Sequence, residues 1–149
     1  MVHLKAFQRF SHIILLYLDY PKKITVSSQG PAAMKQYYRM GEFTILEGLI
    51  HNGRPVWKHV SRTVYLFYGK VLNNLKSFYP SVVFFTVIYI SSLLLGHLGV
   101  WLIGDDYTSD RSQYISTSSP HDYILPSTGW EYYFEKYLPD ETLTVVGHD

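Results

Sequence analysis

The sequence of 149 residues contains no cysteine, which excludes disulfide bonds, thiolate catalysis and cysteine-based zinc sites. It also contains no Asn-x-Ser/Thr acceptor for N-glycosylation. Charged residues make up only 17% of the chain, and the formal net charge is +1. Such a balance creates no electrostatic field that favours nucleic acid or acidic partners. We therefore predict no nucleic-acid partner.

The sequence motifs of common catalytic and cofactor sites are missing as well. There is no nucleophile elbow, phosphate-binding glycine loop or dinucleotide fingerprint. None of the seven histidines forms an i, i+4 pair with an acidic helper, as zinc hydrolases require. His51 and His59 flank a predicted turn, where a solvated pair is the simpler interpretation. We predict no catalytic residue, no metal and no cofactor.

Two groups of acidic residues suggest weaker alternatives. Residues 105–110 cluster oxygen ligands, but a calcium loop requires acidic residues in fixed alternation and a bidentate Glu. Arg111 would also neutralise Asp110, so a solvated turn between strands is the favoured interpretation. The other group offers paired carboxylates for a hydrolase, although charges on a polar sheet face account for it too; its members are Glu131, Glu135, Asp140 and Glu141.

Aromatic residues dominate what the sequence does contain, and Tyr alone occurs 14 times. Tyr suits half-buried strands, where the ring packs and the hydroxyl stays in water. The chain is organised around residues 42–68, in which Asn52-Gly53 separates two β-prone runs. Asn and Gly tolerate φ > 0, which tight hairpin turns require. Pro55 belongs at a strand start or on an edge, because it has no N–H for a β-ladder.

Further short strands are predicted on both sides of this hairpin, separated by Gly-, Pro-, Asp- and Ser-rich turns. They are Lys23 to Ser27, Val64 to Tyr68, Val100 to Ile103, Gln113 to Ser116, Gly129 to Phe134 and Thr142 to Val146. Residues 32–40 are ambiguous between a helical turn and a strand. The pattern predicts a mainly β fold, a small antiparallel sheet domain with an N-terminal helix and an inserted hydrophobic helix.

The N-terminal residues 1–22 are predicted as a helix or a poorly ordered lead. Apolar residues recur at helical spacing up to Tyr20, and Pro21 ends the pattern. A signal peptide is the alternative, because Lys5 and Arg9 precede an apolar run. That run is short, and no small-residue cleavage site follows it.

A hydrophobic segment, residues 81–104, contains no Asp, Glu, Lys or Arg. As a helix it is long enough to cross a hydrocarbon core of about 30 Å, so residues 81–103 are a candidate membrane anchor. If this segment is a spanning helix, we predict that the protein is located in a membrane. If it is not, we predict a soluble protein in an undetermined compartment. However, residues 100–103 also look like a strand. Removing residues 71–98 brings this strand next to Val64 to Tyr68 at normal hairpin spacing.

We therefore predict one discontinuous β-domain, residues 23–70 plus 99–146, and a helical insertion at 71–98. The insertion is either a membrane helix or a retained intron in the gene model. Codons permit the intron, because Gly69-Lys70 can be written G|GTAAG and Leu98-Gly99 TTAG|G in the same phase. A bilayer between the halves of one small sheet would prevent either half from burying its face.

Outside the insertion, the chain resembles a small Trp/Tyr-rich β module found singly or repeated in large animal and protist multidomain proteins. The matching stretches are MGEFT (40–44), NGRPVWKH (52–59), YLFY (65–68), GVWLIG (99–104), YIS (114–116), GWEYY (129–133) and LPDETLTV (138–145). The resemblance implies β structure and a recognition or spacer role without catalysis. It supplies no site residues.

The predicted function is thus a non-catalytic interaction or spacer module, a fragment of a larger repeat protein that binds an unknown protein or carbohydrate. The alternatives are a single-pass membrane protein and, more distantly, a carboxylate-dependent hydrolase. The candidate binding residues are Arg54, Trp57 and His59, with Trp57 placed on a possible edge strand. The candidate core residues are Phe43, Tyr65, Phe67, Trp101, Ile103, Trp130 and Tyr132.

Overall fold

The computed structural model describes residues 20–70, 99–109, 113–118 and 124–149. These residues form a single antiparallel sheet of nine strands that curls into a half-barrel. The strands are β1 (Lys23–Ser27), β2 (Gly41–His51), β3 (Arg54–His59), β4 (Tyr65–Lys70), β5 (Gly99–Gly104), β6 (Gln113–Thr117), β7 (Trp130–Phe134), β8 (Lys136–Pro139) and β9 (Thr144–His148). A short helix, α1 (Pro31–Lys35), and a 3₁₀ helix (Tyr37–Arg39) connect β1 to β2. The mainly β, antiparallel fold class is confirmed.

The two helices predicted from the sequence involve other residues, namely the N-terminal segment and the insertion. Of the predicted N-terminal segment, residues 1–22, the structure describes only 20–22, and these three are not helical. The insertion at 71–98 falls outside the described residues entirely. Among the described residues, none belongs to a helix with the length and apolar character needed to cross a membrane.

The two edges of the sheet are β8 and β9, because the strand order is β8-β7-β6-β5-β4-β3-β2-β1-β9. β8 has only four residues and ends in Pro139, which has no N–H to offer. At the other edge the Val145 N–H donates to the Ser127 carbonyl at 3.0 Å, so a loop covers part of β9. Short or covered edges discourage pairing with a further strand.

The central hairpin confirms the predicted turn. Asn52 and Gly53 both have positive φ, 49° and 78°, and His51 pairs with Arg54 across them. This is the backbone that twist-matched hairpin turns require. The β2–β3 ladder is irregular between Ile45 and Ile50. Gly48 lies in this stretch and has φ 75°.

The predicted edge position of Trp57 is wrong, because β3 lies between β2 and β4. The placement of Pro55 at a strand start is confirmed, since it is the second residue of β3. Trp57 pairs with Leu66 on β4, and the register between β3 and β4 begins there. Pro55 therefore lies outside the paired part of the β3–β4 ladder, while it pairs with Ile50 on the β2 side.

β4 and β5 pair along their whole lengths, from Tyr65 with Gly104 to Lys70 with Gly99. The predicted pairing of these two strands across the insertion is confirmed. Residues 99–103, the end of the candidate membrane anchor, lie in β5 and not in a helix. The ends of the insertion are one antiparallel pair apart, a separation of roughly 4.5–5.5 Å between Cα atoms.

Replacing residues 71–98 with Asn-Gly should leave the sheet folded, because two residues can connect Lys70 to Gly99 as a tight hairpin. We expect cooperative unfolding, and stability equal to or slightly above that of the full chain because the closed loop is shorter. Far-ultraviolet circular dichroism and urea unfolding of both proteins measure this.

A second variant, with a flexible Gly-Ser linker of the same length as residues 71–98, separates chain length from sequence. If the insertion only decorates the sheet, both variants fold. If both variants fail to fold while the full chain folds, the insertion is part of the core, and the predicted division of the chain is wrong.

β8 was not predicted from the sequence. It follows Glu135, a non-glycine residue with φ 63°, which lets β7 reverse directly into β8. Phe134 then pairs with Lys136, and Tyr133 with Tyr137. A strand of four residues that ends in Pro carries too little alternation to be recognised, and Pro139 indicated a turn instead.

The concave face of the sheet holds an aromatic core. Trp101 is at its centre, with ring centroids 5.9 Å from Trp57, 5.2 Å from Tyr68 and 6.4 Å from Tyr20, all edge to face. Such pairs add about 0.5–1.5 kcal/mol each beyond buried area. Five of the predicted core residues are buried in this core, namely Phe43, Trp101, Ile103, Trp130 and Tyr132. Phe67 is buried in a separate cluster with Val56 and Leu102, and Tyr65 packs against that cluster and is partly exposed.

Each buried tryptophan also holds an irregular segment by its indole N–H. Trp57 donates to the Pro21 carbonyl at 2.8 Å. Trp101 and Trp130 donate to the carbonyls of Ile124 and Pro126, at 3.2 and 3.0 Å. A buried indole N–H without a partner would be costly, so these carbonyls are required as much as the rings. The tryptophans therefore tie the segments at Pro21, Ile124 and Pro126 to the sheet.

Candidate binding surface

The three candidate binding residues occupy buried positions. Trp57 is enclosed in the core. Arg54 is also buried; its Nη1 donates to the Gly53 carbonyl at 2.9 Å, and its guanidinium lies 4.9 Å from the Tyr68 ring centroid. Neither side chain is presented to solvent, so a ligand at the surface does not meet them directly.

His59 is held in place by its own hydrogen bonds. Its Nδ1 accepts from the Ser61 backbone N–H at 3.1 Å, so Nε2 is the donor to the Met40 carbonyl at 3.0 Å. The ring packs edge to face on Phe43 at 5.0 Å. His51 lies on another rung of the sheet, opposite Arg54, so the two histidines do not meet across the hairpin.

A different region presents aromatic rings to solvent. Nine large apolar side chains of the described residues are exposed, and five of them belong to the helical segment and the β7–β8 hairpin. Their exposed fractions range from 42% to 78%. We call this set the aromatic surface; it consists of Met34, Tyr37, Tyr38, Tyr133 and Phe134.

Contacts between α1 and the hairpin join the two parts of this surface. The Gln36 side chain donates to the Tyr133 carbonyl at 2.6 Å. Lys35 Nζ lies 4.0 Å from the centroid of the Phe134 ring, in a cation–π contact. These contacts hold the end of α1 against the hairpin, so the two groups of exposed side chains lie on neighbouring segments.

Asp140 anchors the start of α1 from the loop after β8. Its Oδ2 accepts from the Ala32 backbone N–H at 3.0 Å and from Ser28 Oγ at 2.8 Å. Its Oδ1 accepts from Thr142 N–H and Oγ1 at 3.0 and 2.7 Å. Burial pushes the pKa of the carboxyl upward, but these hydrogen bonds outweigh burial, so the pKa lies below its ordinary value.

Two arginines fix the 3₁₀ helix. Arg62 Nη1 donates to the carbonyls of Tyr37 and Tyr38, at 3.0 and 2.7 Å. Arg39 forms a two-pronged ion pair with Asp105, at 3.1 and 3.0 Å, and stacks on Tyr114 with 3.4 Å from Cζ to the ring centroid. The exposed tyrosines are therefore carried on a backbone that is held from several directions.

Rings of the surface meet edge to face, either with each other or with Tyr137, which pairs with Tyr133 across the hairpin. Tyr37 and Tyr38 have centroids 6.4 Å apart and an interplanar angle of 86°. Tyr133 and Tyr137 are 5.4 Å apart at 68°. Rings in this arrangement form ridges, and they do not line up as a flat platform on which successive sugar rings could stack.

Of the acidic residues singled out in the sequence, several have defined surroundings in the structure. The Asp140 carboxylate accepts hydrogen bonds from Ser28, Ala32 and Thr142. Burial raises the pKa of Glu131. Burial, together with Tyr133 and Glu131, raises the pKa of Tyr137 to about 12, so its phenol keeps its proton at neutral pH. In the stretch predicted as a solvated turn, Asp105 pairs with Arg39, and Asp106 accepts from Thr108. The described residues contain no metal-ligand cluster of three or more His, Asp or Glu.

Comparison with known proteins finds no matching family model, curated protein or solved structure. The resemblance to a Trp/Tyr-rich β module therefore stays a prediction that is carried by the sequence motifs alone.

Proposed function

We propose that this chain is a non-catalytic interaction module whose binding site is the aromatic surface. The observation that carries the proposal is the concentration of exposed rings on one rigid part of an otherwise well-packed sheet. Tyr, Phe, Met and Arg are the residue types that enrich in the centres of protein interfaces and in binding hot spots. The buried residues Arg54, Trp57 and His59 act in this proposal as supports of the sheet.

Rigidity favours this role. Asp140, Gln36 and Arg62 hold the helical segment through hydrogen bonds to its backbone and to the hairpin. The side chains of the surface therefore lose less conformational freedom on binding than side chains on a mobile loop would lose. Tyr adds large contact area at low entropic cost, because it has only two side-chain torsions.

The double variant Tyr37→Ala/Tyr133→Ala should abolish binding while leaving the protein folded, because both side chains are exposed. The test is a selection of random dodecapeptides, displayed on phage, against the wild-type protein. Selected peptides should bind the double variant at least tenfold more weakly, about 1.4 kcal/mol or more.

A matched control is Ile50→Ala/Val146→Ala, which also removes two exposed apolar side chains, from strands β2 and β9. Peptide binding should be unchanged in this control. Selected peptides that bind all three proteins equally would show that the aromatic surface is not the binding site.

A membrane protein remains the second candidate, favoured by the uncharged run in residues 81–98. The Asn-Gly replacement of residues 71–98 distinguishes a membrane protein from an interaction module. For an interaction module, both proteins extract without detergent and bind the selected peptides alike. For a membrane protein, the full chain requires detergent and the shortened chain does not. The hydrolase alternative is less favoured, because Asp140, one of its candidate carboxylates, accepts hydrogen bonds from Ser28, Ala32 and Thr142.

A further inference from the structure

The side-chain amide of Asn52 connects the β2–β3 turn to strand β4. Its Nδ2 donates to the Tyr68 carbonyl at 2.9 Å and lies 2.9 Å from His51 Nε2. A carbonyl oxygen only accepts hydrogen bonds, so the nitrogen of the amide, and not its oxygen, faces β4. The contact with His51 is then a hydrogen bond from the same N–H₂ group to an unprotonated Nε2. Both hydrogen bonds depend on the amide nitrogen.

The position of this contact in the sheet is next to a proline. The β3–β4 ladder pairs Trp57 with Leu66, and continuing that register by two residues brings Pro55 opposite Tyr68. Pro55 has no N–H and cannot donate to a carbonyl of β4. The Asn52 amide donates to that strand from the adjacent turn. It therefore holds β4 at a point beyond the end of the β3–β4 ladder.

Asn followed by Gly is also the dipeptide in which an asparagine amide reacts most readily with its own backbone. The Gly53 nitrogen bonds to Asn52 Cγ, the bond from Cγ to Nδ2 breaks, and the proton from Gly53 leaves with the amide nitrogen as ammonia. Water then opens the cyclic imide to aspartate or to isoaspartate. The net reaction consumes water, releases ammonia and requires no enzyme. A Cβ added at Gly53 would meet no atom within 4 Å, so the approach is not hindered there.

The folded turn restrains this reaction. Attack requires Asn52 Cγ to rotate over the Gly53 nitrogen, whereas the hydrogen bonds to Tyr68 and His51 hold the amide in one orientation. Asn52 and Gly53 are only partly buried, so a local opening of the turn is enough to free the amide. The reaction therefore proceeds from the open turn, at a rate set by how often the turn opens.

We propose that Asn52 is a modification site, at which spontaneous deamidation releases the β2–β3 turn from β4. An ionised aspartate has only acceptor oxygens and cannot donate to the Tyr68 carbonyl. Isoaspartate also adds a methylene group to the main chain, inside the turn across which His51 pairs with Arg54. The end of β4 is less firmly held in both products. This site does not include residues of the aromatic surface, so its test is independent of the proposed function.

The first test follows the mass of one tryptic peptide. Trypsin does not cleave between Arg54 and Pro55, so it releases residues 40–58 as a peptide whose only Asn or Gln is Asn52. The wild-type protein is incubated in mildly alkaline buffer, either folded or unfolded in urea. The peptide should gain about 1 Da in both samples, at least about tenfold more slowly in the folded protein. The chemical control, Asn52→Gln, should show no comparable gain in either sample.

The second test measures the consequence by hydrogen exchange. Backbone amides of residues 54–57 and 66–70 should exchange at least about tenfold faster in Asn52→Asp than in the wild-type protein. Gln29→Glu is the matched control, because it also converts an amide to a carboxylate at an exposed position between two elements. Exchange of the same amides should keep its wild-type rate in this control.

Each part of the inference has its own contradicting result. No gain in mass in either sample would show that Asn52 is not a modification site. Equal rates in folded and unfolded protein would show that the folded turn does not hold the amide. Wild-type exchange rates in Asn52→Asp would show that deamidation does not release β4.

Discussion

Replacing Trp101 with alanine should lower the free energy of unfolding by about 3–5 kcal/mol, a large part of the stability of a small domain. The ring is enclosed and packs edge to face against Trp57, Tyr68 and Tyr20. Its loss leaves a cavity between strands and frees the Ile124 carbonyl, which accepts the indole N–H. Urea unfolding followed by circular dichroism measures the effect.

Trp101→Phe separates the contribution of ring packing from that of the indole hydrogen bond. Phenylalanine keeps much of the ring contact but cannot donate to the Ile124 carbonyl. We expect a loss of about 1–3 kcal/mol, smaller than that of alanine. As a surface control, Tyr133→Ala should change stability by less than about 1 kcal/mol. A loss well under 1 kcal/mol for Trp101→Ala would contradict the assigned core.

Replacing Asp140 with asparagine should cost roughly 3 kcal/mol at neutral pH, because hydrogen bonds to a buried charge are among the stronger ones. The carboxylate accepts from Ser28, Ala32 and Thr142. Both carboxylate oxygens of Asp140 accept hydrogen bonds, whereas asparagine has only one acceptor oxygen. Its amide N–H₂ would replace the second oxygen and would face hydrogen-bond donors. The start of α1 would lose its anchor, and the whole helical segment would loosen.

The same carboxylate should make stability depend on pH. The pKa of Asp140 is lowered in the folded protein, so its contribution is complete above the unfolded value of about 4 and disappears as pH falls through the lower folded value. The wild-type protein should therefore lose stability in that acidic range. The difference between wild type and Asp140→Asn should shrink there, which unfolding curves at several pH values measure.

Glu141→Gln is the matched control, since Glu141 is the exposed neighbour of Asp140. It removes a carboxylate from the same loop without removing a hydrogen bond to the helical segment, and we expect a change within about 0.5 kcal/mol. If Asp140→Asn behaves like Glu141→Gln at all pH values, Asp140 does not hold the helical segment.

The parts of the fold that depend on local chemistry were predictable from the sequence. Asn52-Gly53 requires only its own backbone preferences to form a hairpin turn. The pairing of β4 with β5 followed from loop length, since removing residues 71–98 restored normal spacing. β8 was missed because its four residues, which end in Pro139, carry too little alternation. The edge assignment of Trp57 failed because Pro55 was compatible with both an edge and a strand start.

The aromatic surface depends on contacts that are distant in the chain, and sequence patterns do not reveal such contacts. Asp140 lies 112 residues from Ser28, so the sequence offered it only as a turn residue or a candidate carboxylate. Residues 32–40 were ambiguous between helix and strand. Which face of Tyr37 and Tyr38 remains exposed is decided by the packing of Gln36 against the β7–β8 hairpin.

The most direct test of the interaction surface compares dissociation constants of wild-type-selected peptides for the wild-type protein, Tyr37→Ala/Tyr133→Ala and Ile50→Ala/Val146→Ala, with unfolding curves recorded alongside. We predict that the first variant loses at least about tenfold in affinity and the second loses none, while all three proteins unfold with similar midpoints. Equal affinity for all three folded proteins would contradict the assignment of binding to the aromatic surface.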